Sequence, residues 1–287
     1  MPNRSKKREV ELVVISDVHL GTHGCHAKEL LQYVRSIDPK TVILNGDIID
    51  IWQFKKHYWP KSHMKIIKHI ISWITNDITM YYITGNHDEM LRKFSGFNMN
   101  SFHIVNKVVL KFGDKAAWFF HGDVFDVTMQ HSKWLTKLGA VGYDFLIQLN
   151  LFVNAISQFF GKGRISLSKK IKNSVKGAVK YINGFEQVAA DIAIENGYDY
   201  VVCGHIHQPK IKTYKNSLGE TTYLNSGDWV ENLTALEFNG ECWEIYTYDE
   251  SDYVDKDDES ILTDDLDRSD KEIFNAILND FKLMKSS

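Results

Sequence analysis

The sequence has few cysteines and few uninterrupted apolar segments, and each shortage excludes a class of protein. The three cysteines are far apart and form no CxxC motif: Cys25, Cys203 and Cys242. This spacing excludes a disulfide scaffold and is typical of a reducing compartment. The apolar run at residues 10–16 is short and is followed directly by Asp17, so we expect a first strand and no secretion signal.

The chain also lacks a large excess of charge of either sign. It has 34 Lys and Arg residues against 37 Asp and Glu residues, which gives a formal net charge of −3. A nearly balanced chain has little of the long-range attraction that general nucleic-acid binding requires. No basic groove interleaved with aromatic residues is visible either, so we expect no nucleic-acid partner.

Length and hydrophobic content indicate one large domain with additions. At 44% hydrophobic and 25% charged residues, the chain can bury a sizeable core and is not disordered throughout. We expect this domain to span residues 1–248 and to contain a helical insertion at about 126–183. Residues 249–287 form an acidic tail, and a single apolar stripe predicts a short helix near its end.

Short β-rich apolar runs alternate with helix-like segments in the first half of the chain. The runs predict buried strands at residues 10–16, 41–46 and 80–85. Helices are predicted between them, around 26–37 and 61–75. This alternation is typical of βαβ units and predicts an α/β fold with a parallel sheet.

Strand patterns return on both sides of the predicted insertion. A hairpin is predicted from residues 106–112 and 116–120, joined at Gly113-Asp114. Further strands are predicted in the second half, at about residues 198–204, 210–214, 221–224, 233–238 and 242–248.

Five clusters of polar residues each follow an apolar run. In chain order they are Asp17-Val18-His19, Asn45-Gly46-Asp47 with Asp50, Gly85-Asn86-His87-Asp88, His121-Gly122-Asp123 and Gly204-His205-Ile206-His207. Because ligands bind at the carboxyl ends of strands in open α/β sheets, we expect the clusters to converge. Asp, His and Asn side chains suit divalent Mn, Fe or Zn.

Alternation along a strand offers a way for one cluster to supply two ligands. In an extended chain, residues i and i+2 point to the same side, so Asp17 with His19, and His205 with His207, are expected to face one ion. Any single cluster is more often a turn or an ordinary polar contact. Five such clusters in order favour a metal site over chance.

The ordered motifs DVH, GD, GNHD, HGD and GHIH resemble the signature of the calcineurin-like metallophosphoesterases. The resemblance extends from Asp17 to His207, with a further SGDW at residues 226–229. It implies a four-layer α/β/β/α sandwich with two divalent metal ions, expected to be Mn²⁺, with Fe or Zn as alternatives. It assigns Asp17, His19 and His207 to the first ion, Asn86, His121 and His205 to the second, and Asp47 to both.

The same resemblance implies a catalytic role for His87. In the wider family this histidine faces the substrate and stabilises or protonates the leaving oxygen, and we expect Asp50 to orient it. The alternative is that His87 only donates a hydrogen bond within the site.

The residues of the predicted insertion indicate the class of substrate. It combines large apolar residues at helical spacing with basic residues, among which four are candidates for phosphate contacts: Lys162, Arg164, Lys169 and Lys172. An apolar and basic segment suits the surface of an anionic membrane. The alternatives are a helical pair packed on itself or on a second copy of the chain, and a solvated basic face.

Within the family, the insertion and the run Gly204–Pro209 look like those of the UDP-2,3-diacylglucosamine diphosphatases of lipid A synthesis. This resemblance implies hydrolysis of the pyrophosphate of UDP-2,3-diacylglucosamine to UMP and 2,3-diacylglucosamine 1-phosphate. It also implies a cytoplasmic enzyme bound peripherally to the cytosolic face of the inner membrane. A soluble phosphomonoester, phosphodiester or nucleotide is the alternative substrate, and a non-enzymatic scaffold is the third hypothesis.

Overall fold

A computed structural model describes residues 7–51, 58–128 and 168–253 of the chain. Within these ranges, side chains are described everywhere except at residues 127–128 and 168–181. No helix of the described ranges is both long enough and apolar enough to cross a membrane.

The chain divides into two units, Met1–Tyr248 and Asp249–Ser287. Of the second unit the structure describes only the beginning, which includes a short 3-10 turn at Glu250–Asp252. The rest of the acidic tail with its predicted helix, and the apolar part of the predicted insertion, lie outside the described residues. The domain division inferred from the sequence therefore stays a prediction.

The first sheet is mixed and contains most of the predicted parallel strands. Its strands, numbered in chain order, are β1 (Arg8–Ile15), β2 (Ile37–Asn45), β3 (Thr79–Ile83), β4 (Asn98–Met99), β5 (Phe102–Val105), β11 (Thr234–Phe238) and β12 (Trp243–Thr247). They lie in the order β12-β11-β1-β2-β3-β5-β4. The neighbours β1, β2, β3 and β5 run parallel, whereas β4, β11 and β12 pair antiparallel.

The second sheet has five strands. They are β6 (Lys107–Phe112), β7 (Lys115–Phe120), β8 (Tyr200–Cys203), β9 (Lys210–Asn216) and β10 (Gly219–Asn225). Their order is β6-β7-β8-β10-β9. The strands β7, β8 and β10 run parallel, and antiparallel partners close both edges.

Four helices accompany the sheets in the described residues: α1 (Ala27–Ser36), α2 (Lys61–Thr75), α3 (Val124–Thr128) and α4 (Ser168–Glu195). Alternate residues of β1 face opposite sides of the first sheet. Val13 and Ile15 belong to the cluster that α1 and α2 cover, whereas Leu12 and Val14 pack against the second sheet. On the other side of the second sheet, α4 buries Phe185. The layers are helix, sheet, sheet and helix, which confirms the predicted α/β/β/α fold.

Most elements predicted from apolar periodicity form where they are expected. The strands predicted in the first half and the hairpin turn at Gly113-Asp114 are present. The short strands β4 and β5 were not predicted, because two and four residues are too few to show a period.

Helix α4 does not end where the sequence predicted the end of the insertion. The predicted boundary at residue 183 lies inside this helix, which continues to Glu195. The reason is packing, since Phe185, Ala189 and Ala193 recur at four-residue spacing and are fully buried against the second sheet. The carboxyl-terminal part of α4 is therefore a layer of the α/β fold.

Candidate metal centre

The predicted polar clusters lie where strands of both sheets end. Asp17, Asp47 and Asn86 closely follow the parallel strands β1, β2 and β3, and His121 and His205 follow the parallel strands β7 and β8. Parallel strands end on the same side of a sheet, so each sheet presents its clusters along one edge.

Six of the seven predicted ligands form two compact groups. The first group consists of Asp17, His19 and His207, and the second group consists of Asp47, His121 and His205. In each group, one oxygen or nitrogen from every member lies within 4.8 Å of the others. The structure thus brings together six of the residues that the resemblance assigns as ligands. Asp47 belongs to the second group, and His19 also forms a third group of the same kind with Asp50 and His87.

Short distances join the acids and histidines within each group. His207 Nε2 lies 3.2 Å from Asp17 Oδ1, and His121 Nε2 lies 3.3 Å from Asp47 Oδ2. Asp47 Oδ1 accepts a hydrogen bond of 2.8 Å from the backbone N–H of His87. The carboxylate of Asp47 therefore contacts both a predicted ligand and the loop that follows β3.

The expectation from strand alternation is wrong for the last cluster. His205 and His207 belong to different groups, although they are two residues apart. Neither has an extended backbone, since their φ angles are +67° and +51°. Asp17 and His19 are also left-handed, with φ angles of +51° and +54°, so the alternation of an extended strand applies to neither cluster.

Left-handed backbone recurs throughout the centre. The candidate ligands with φ between 51° and 67° are Asp17, His19, Asp47, His205 and His207. For residues other than glycine this conformation costs on the order of 1 kcal/mol each and persists only where surrounding contacts enforce it. Backbone hydrogen bonds between the first two loops, from Asp17 to Gly46 (3.1 Å) and from His19 to Asp47 (2.9 Å), supply such contacts.

Gly46 makes room for the ring of His121. A Cβ atom at Gly46 would lie 2.3 Å from His121 Nδ1, and its φ of +80° disfavours other residues. His121 Nδ1 donates a hydrogen bond of 2.8 Å to the Asn45 carbonyl. With the proton on Nδ1, Nε2 is the nitrogen left to face the carboxylate of Asp47.

Several buried atoms of the centre have no hydrogen-bond partner. In the described part of the chain these include Asn86 Oδ1, His19 Nε2 and His121 Nε2. Asp17 and Asp47 are also 0% and 2% exposed. Burying such atoms without partners is costly, and a divalent cation would satisfy oxygen and imidazole nitrogen together. The donor set therefore fits a pair of metal ions.

The charges of the centre stabilise one another. Burial alone would raise the pKa values of Asp17 and Asp47, but the charges of His207 and His121 hold both below the usual range. Burial opposes the charged form of His207 too, yet Asp17 raises its pKa to about 9. At His19 burial prevails and lowers the pKa to about 4, which favours the neutral imidazole that binds metals.

His87 lies beside the first group and contacts Asp50. His87 Nδ1 is 3.1 Å from Asp50 Oδ2, and the ring meets that of His19 edge to face at 4.6 Å. Burial lowers the pKa of His87, but the hydrogen bond to Asp50 and the charge of Asp47 raise it above its usual value. The side chain is 34% exposed, so a bound substrate can reach it.

Asp88 is a functional residue to which the sequence analysis assigned no role. It is fully buried, and its carboxylate accepts hydrogen bonds from the Gly85 and Ile48 backbone N–H groups and from the Tyr82 hydroxyl. These contacts fix the loop that presents Asn86. Its place as the last residue of the GNHD motif was the available signal.

Asp228 has a similar role at the last cluster. It lies in the SGDW motif at residues 226–229, is fully buried, and is 3.8 Å from His207 Nδ1. Its carboxylate also accepts the Val230 N–H at 2.7 Å. Asn232 donates to the His207 carbonyl at 3.0 Å. The motif was visible in the sequence, but its contact with His207 depends on the fold.

The predicted phosphate contacts of the basic residues in the insertion involve side chains that the structure does not describe. Lys162 and Arg164 lie outside the described residues. Lys169 and Lys172 lie in the first turns of α4, where only the backbone is described. Their contacts with phosphate stay a prediction.

Known proteins that are similar to this chain include the following two. A protein of Blochmanniella pennsylvanica named UDP-2,3-diacylglucosamine hydrolase is 25% identical over 236 residues, which cover 80% of this chain and 92% of that protein. A protein of the same name from Stenotrophomonas maltophilia is 21% identical over 241 residues, with coverage of 81% and 96%.

Among solved structures, Yfce, a phosphoesterase from E. coli, aligns with a TM-score of 0.42 and 12% identity over 83% of this chain and 93% of that chain. Vacuolar protein sorting 29 from Cryptosporidium parvum aligns with a TM-score of 0.36 and 14% identity, covering 83% and 90%. The family model of the calcineurin-like phosphoesterases matches residues 10–209, well over half of the chain. The chain thus belongs to the calcineurin-like phosphoesterase family.

Proposed function

We propose that this metallophosphoesterase is a dinuclear-metal hydrolase in which the two groups of side chains each hold one divalent cation. Asp17, His19 and His207 would hold the first ion, and Asp47, His121 and His205 would hold the second. Asn86, whose Oδ1 atom is buried without a partner, would join the second set, and Asp47 would be shared by both ions. Mn²⁺ is the expected metal, with Fe or Zn as alternatives. The observation that carries the proposal is the pair of adjacent buried His/Asp groups with unpartnered ligand atoms.

The reaction follows from the chemistry of such a centre. Two divalent cations bound there would supply Lewis acidity: they would lower the pKa of the attacking water and neutralise phosphate oxygens during an in-line displacement at phosphorus. In this proposal His87 donates a proton to the oxygen that leaves phosphorus. Asp50 orients the ring through its hydrogen bond to Nδ1, which leaves Nε2 for the substrate.

We further propose that the substrate is UDP-2,3-diacylglucosamine, hydrolysed to UMP and 2,3-diacylglucosamine 1-phosphate. Two relatives that match about four fifths of the chain bear the name UDP-2,3-diacylglucosamine hydrolase. In this proposal Lys162, Arg164, Lys169 and Lys172 contact substrate phosphate, and the enzyme binds peripherally to the cytosolic face of the inner membrane.

Release of UMP tests the substrate. Full-length protein loaded with Mn²⁺ is given detergent-dispersed UDP-2,3-diacylglucosamine, and UMP is quantified by chromatography. We expect turnover of this lipid to exceed that of bis(p-nitrophenyl) phosphate by a large factor. The Asp47→Ala variant is the control, because loss of the shared ligand is expected to abolish both reactions.

Two other results would contradict parts of the proposal. Equal or faster turnover of soluble diesters or nucleotides, without dependence on lipid, would contradict the glycolipid substrate while leaving a phosphoesterase. Binding of two ions without hydrolysis of any phosphoester would favour a non-enzymatic scaffold.

A further inference from the structure

Asp126 contacts the second group, although it lies outside the five polar clusters of the sequence. It lies on the short helix α3, at the residue where the insertion is predicted to begin. Its Oδ2 atom is 3.1 Å from His205 Nε2, and the two side chains are 20% and 4% exposed. A largely buried carboxylate thus lies beside a ring nitrogen of a candidate metal ligand.

The ring of His205 is held from several directions. Its backbone N–H donates to both carboxylate oxygens of Asp17, at 3.2 and 3.1 Å. The ring of Phe185 from α4 lies 6.3 Å away, and that of His121 lies 5.2 Å away. These contacts set the place of the imidazole but not its rotation about the Cβ–Cγ bond. The carboxylate of Asp126 contacts one nitrogen of this ring, Nε2.

The position of Asp126 is itself fixed by aromatic packing. Phe125, the preceding residue, is buried and meets the rings of Phe120 and Phe185 edge to face, each at 5.4 Å. The turn into α3 depends on Gly122, where a Cβ atom would lie 2.7 Å from the Phe185 ring and 3.2 Å from the Cβ of His205. Helix α3 is therefore anchored beside the second group, with Asp126 directed at His205.

We infer that Asp126 is a positioning residue for the second metal ion. This inference rests on the proposed function. The Nε2–H of His205 donates to Asp126, which leaves Nδ1 unprotonated and available as the ligand atom. A carboxylate behind a metal-bound imidazole fixes its tautomer and increases its basicity. Asp126 is the first residue of the predicted insertion. Its contact with His205 therefore links the beginning of the insertion to the second ion site.

Metal titration tests this role without any substrate. Metal-free, full-length protein is titrated with Mn²⁺ by isothermal calorimetry. The titration is repeated in a His207→Ala background, in which only the second group keeps all its side chains. We expect Asp126→Ala to weaken binding of the second ion by about 10–100-fold and to leave the first unchanged. Asp126→Asn keeps an acceptor oxygen and the size of the side chain, so we expect it to weaken binding of the second ion less than Asp126→Ala does.

Asp123→Asn is the matched control. Asp123 lies just before α3 and pairs with Arg92 rather than with His205. Its charge also acts on His121, so the same loss of charge is expected to weaken binding of the second ion less than the Asp126 substitutions do. Unchanged affinity in Asp126→Ala would overturn the inference. Complete loss of the second ion in both Asp126 variants would overturn it too, because Asp126 would then be a direct ligand.

Together with the UMP-release assay, the Mn²⁺ titration also distinguishes failure of this inference from failure of the proposed function. Failure of the wild-type protein to bind a second ion would overturn the metal centre and this inference together. Failure to release UMP, with two ions bound and the Asp126 effect present, would contradict only the glycolipid substrate.

Discussion

His87 shows how a single residue combines a backbone contact with a side-chain contact. Its backbone N–H donates to Asp47, whereas its ring donates to Asp50. The backbone contact places the residue at the centre, and the ring contact leaves Nε2 directed away from Asp50. A residue held in this way can act on substrate without holding a metal ion itself.

We expect His87→Ala to lower kcat by about 10²–10⁴-fold, the usual contribution of a general acid. Its Mn²⁺ content is expected to stay at the wild-type value, because none of the seven proposed ligands changes. Steady-state kinetics and elemental analysis of the same preparation make the measurement. His121→Ala is the comparison and is expected to lose metal and activity together. Loss of metal from His87→Ala would make His87 a structural residue.

At the scale of elements, α2 supports both α1 and the first ligand loop. His63 Nδ1 accepts a hydrogen bond of 2.9 Å from the Gly21 N–H, two residues after His19. His69, two turns further along α2, donates from Nε2 to the Val34 carbonyl at the end of α1, at 2.9 Å. One helix therefore joins the outer layer to the metal centre.

His69 makes this helix contact sensitive to pH. Burial lowers its pKa to about 4, although the bond to Val34 opposes the shift. Between about pH 6.5 and 4, the unfolded chain therefore binds a proton at this position that the folded chain does not. The free energy of unfolding falls as pH decreases through this window. After allowance for partial exposure, the effect is about 1 kcal/mol.

Urea unfolding at pH 7.0 and 5.0 checks this expectation. His69→Gln is expected to lose less stability than the wild type over this interval, since it removes the titrating group. His103→Gln, at a ring stacked on Tyr81 in the first sheet, is the matched control. An identical pH dependence for wild type and His69→Gln would contradict the assignment.

For the molecule as a whole, the proposed ions contribute to folding as well as to catalysis. The two groups draw ligands from both sheets, and His205 N–H contacts an Asp17 carboxylate 188 residues away in the chain. Cations held there would bind the folded chain and not the unfolded one. Such binding stabilises by about 4 kcal/mol when free ligand is 1,000 times the Kd.

We therefore expect EDTA to lower the melting temperature and Mn²⁺ to restore it. Scanning calorimetry of the full-length protein, metal-free and with added Mn²⁺, measures the change. Asp47→Ala is the control and is expected to lose most of the Mn²⁺-dependent increase. Equal melting temperatures with and without Mn²⁺ in the wild type would contradict the metal centre.

Much of the fold could be predicted from the sequence because its signals are local. The strands around Leu12 and Ile43 are apolar on consecutive residues, as strands covered on both faces must be. Periodicity at 3.6 residues marks α2. By contrast, β4 and β5 are too short to carry a period. Helix α4 passes the predicted boundary at residue 183 because Ala189 and Ala193 pack against the second sheet, a contact that local periodicity does not reveal.

The sequence by itself determined which chemical groups the chain contains, their order, and the family to which they belong. Only the tertiary structure decided that Asp88 and Asp228 support the ligand loops and that Asp126 lies beside His205, and only the tertiary structure overturned the strand alternation expected at His205 and His207. The physical reason is that these arrangements depend on left-handed backbone turns and on contacts between distant segments. Such turns are imposed by the packing around them, and residue type alone does not specify them.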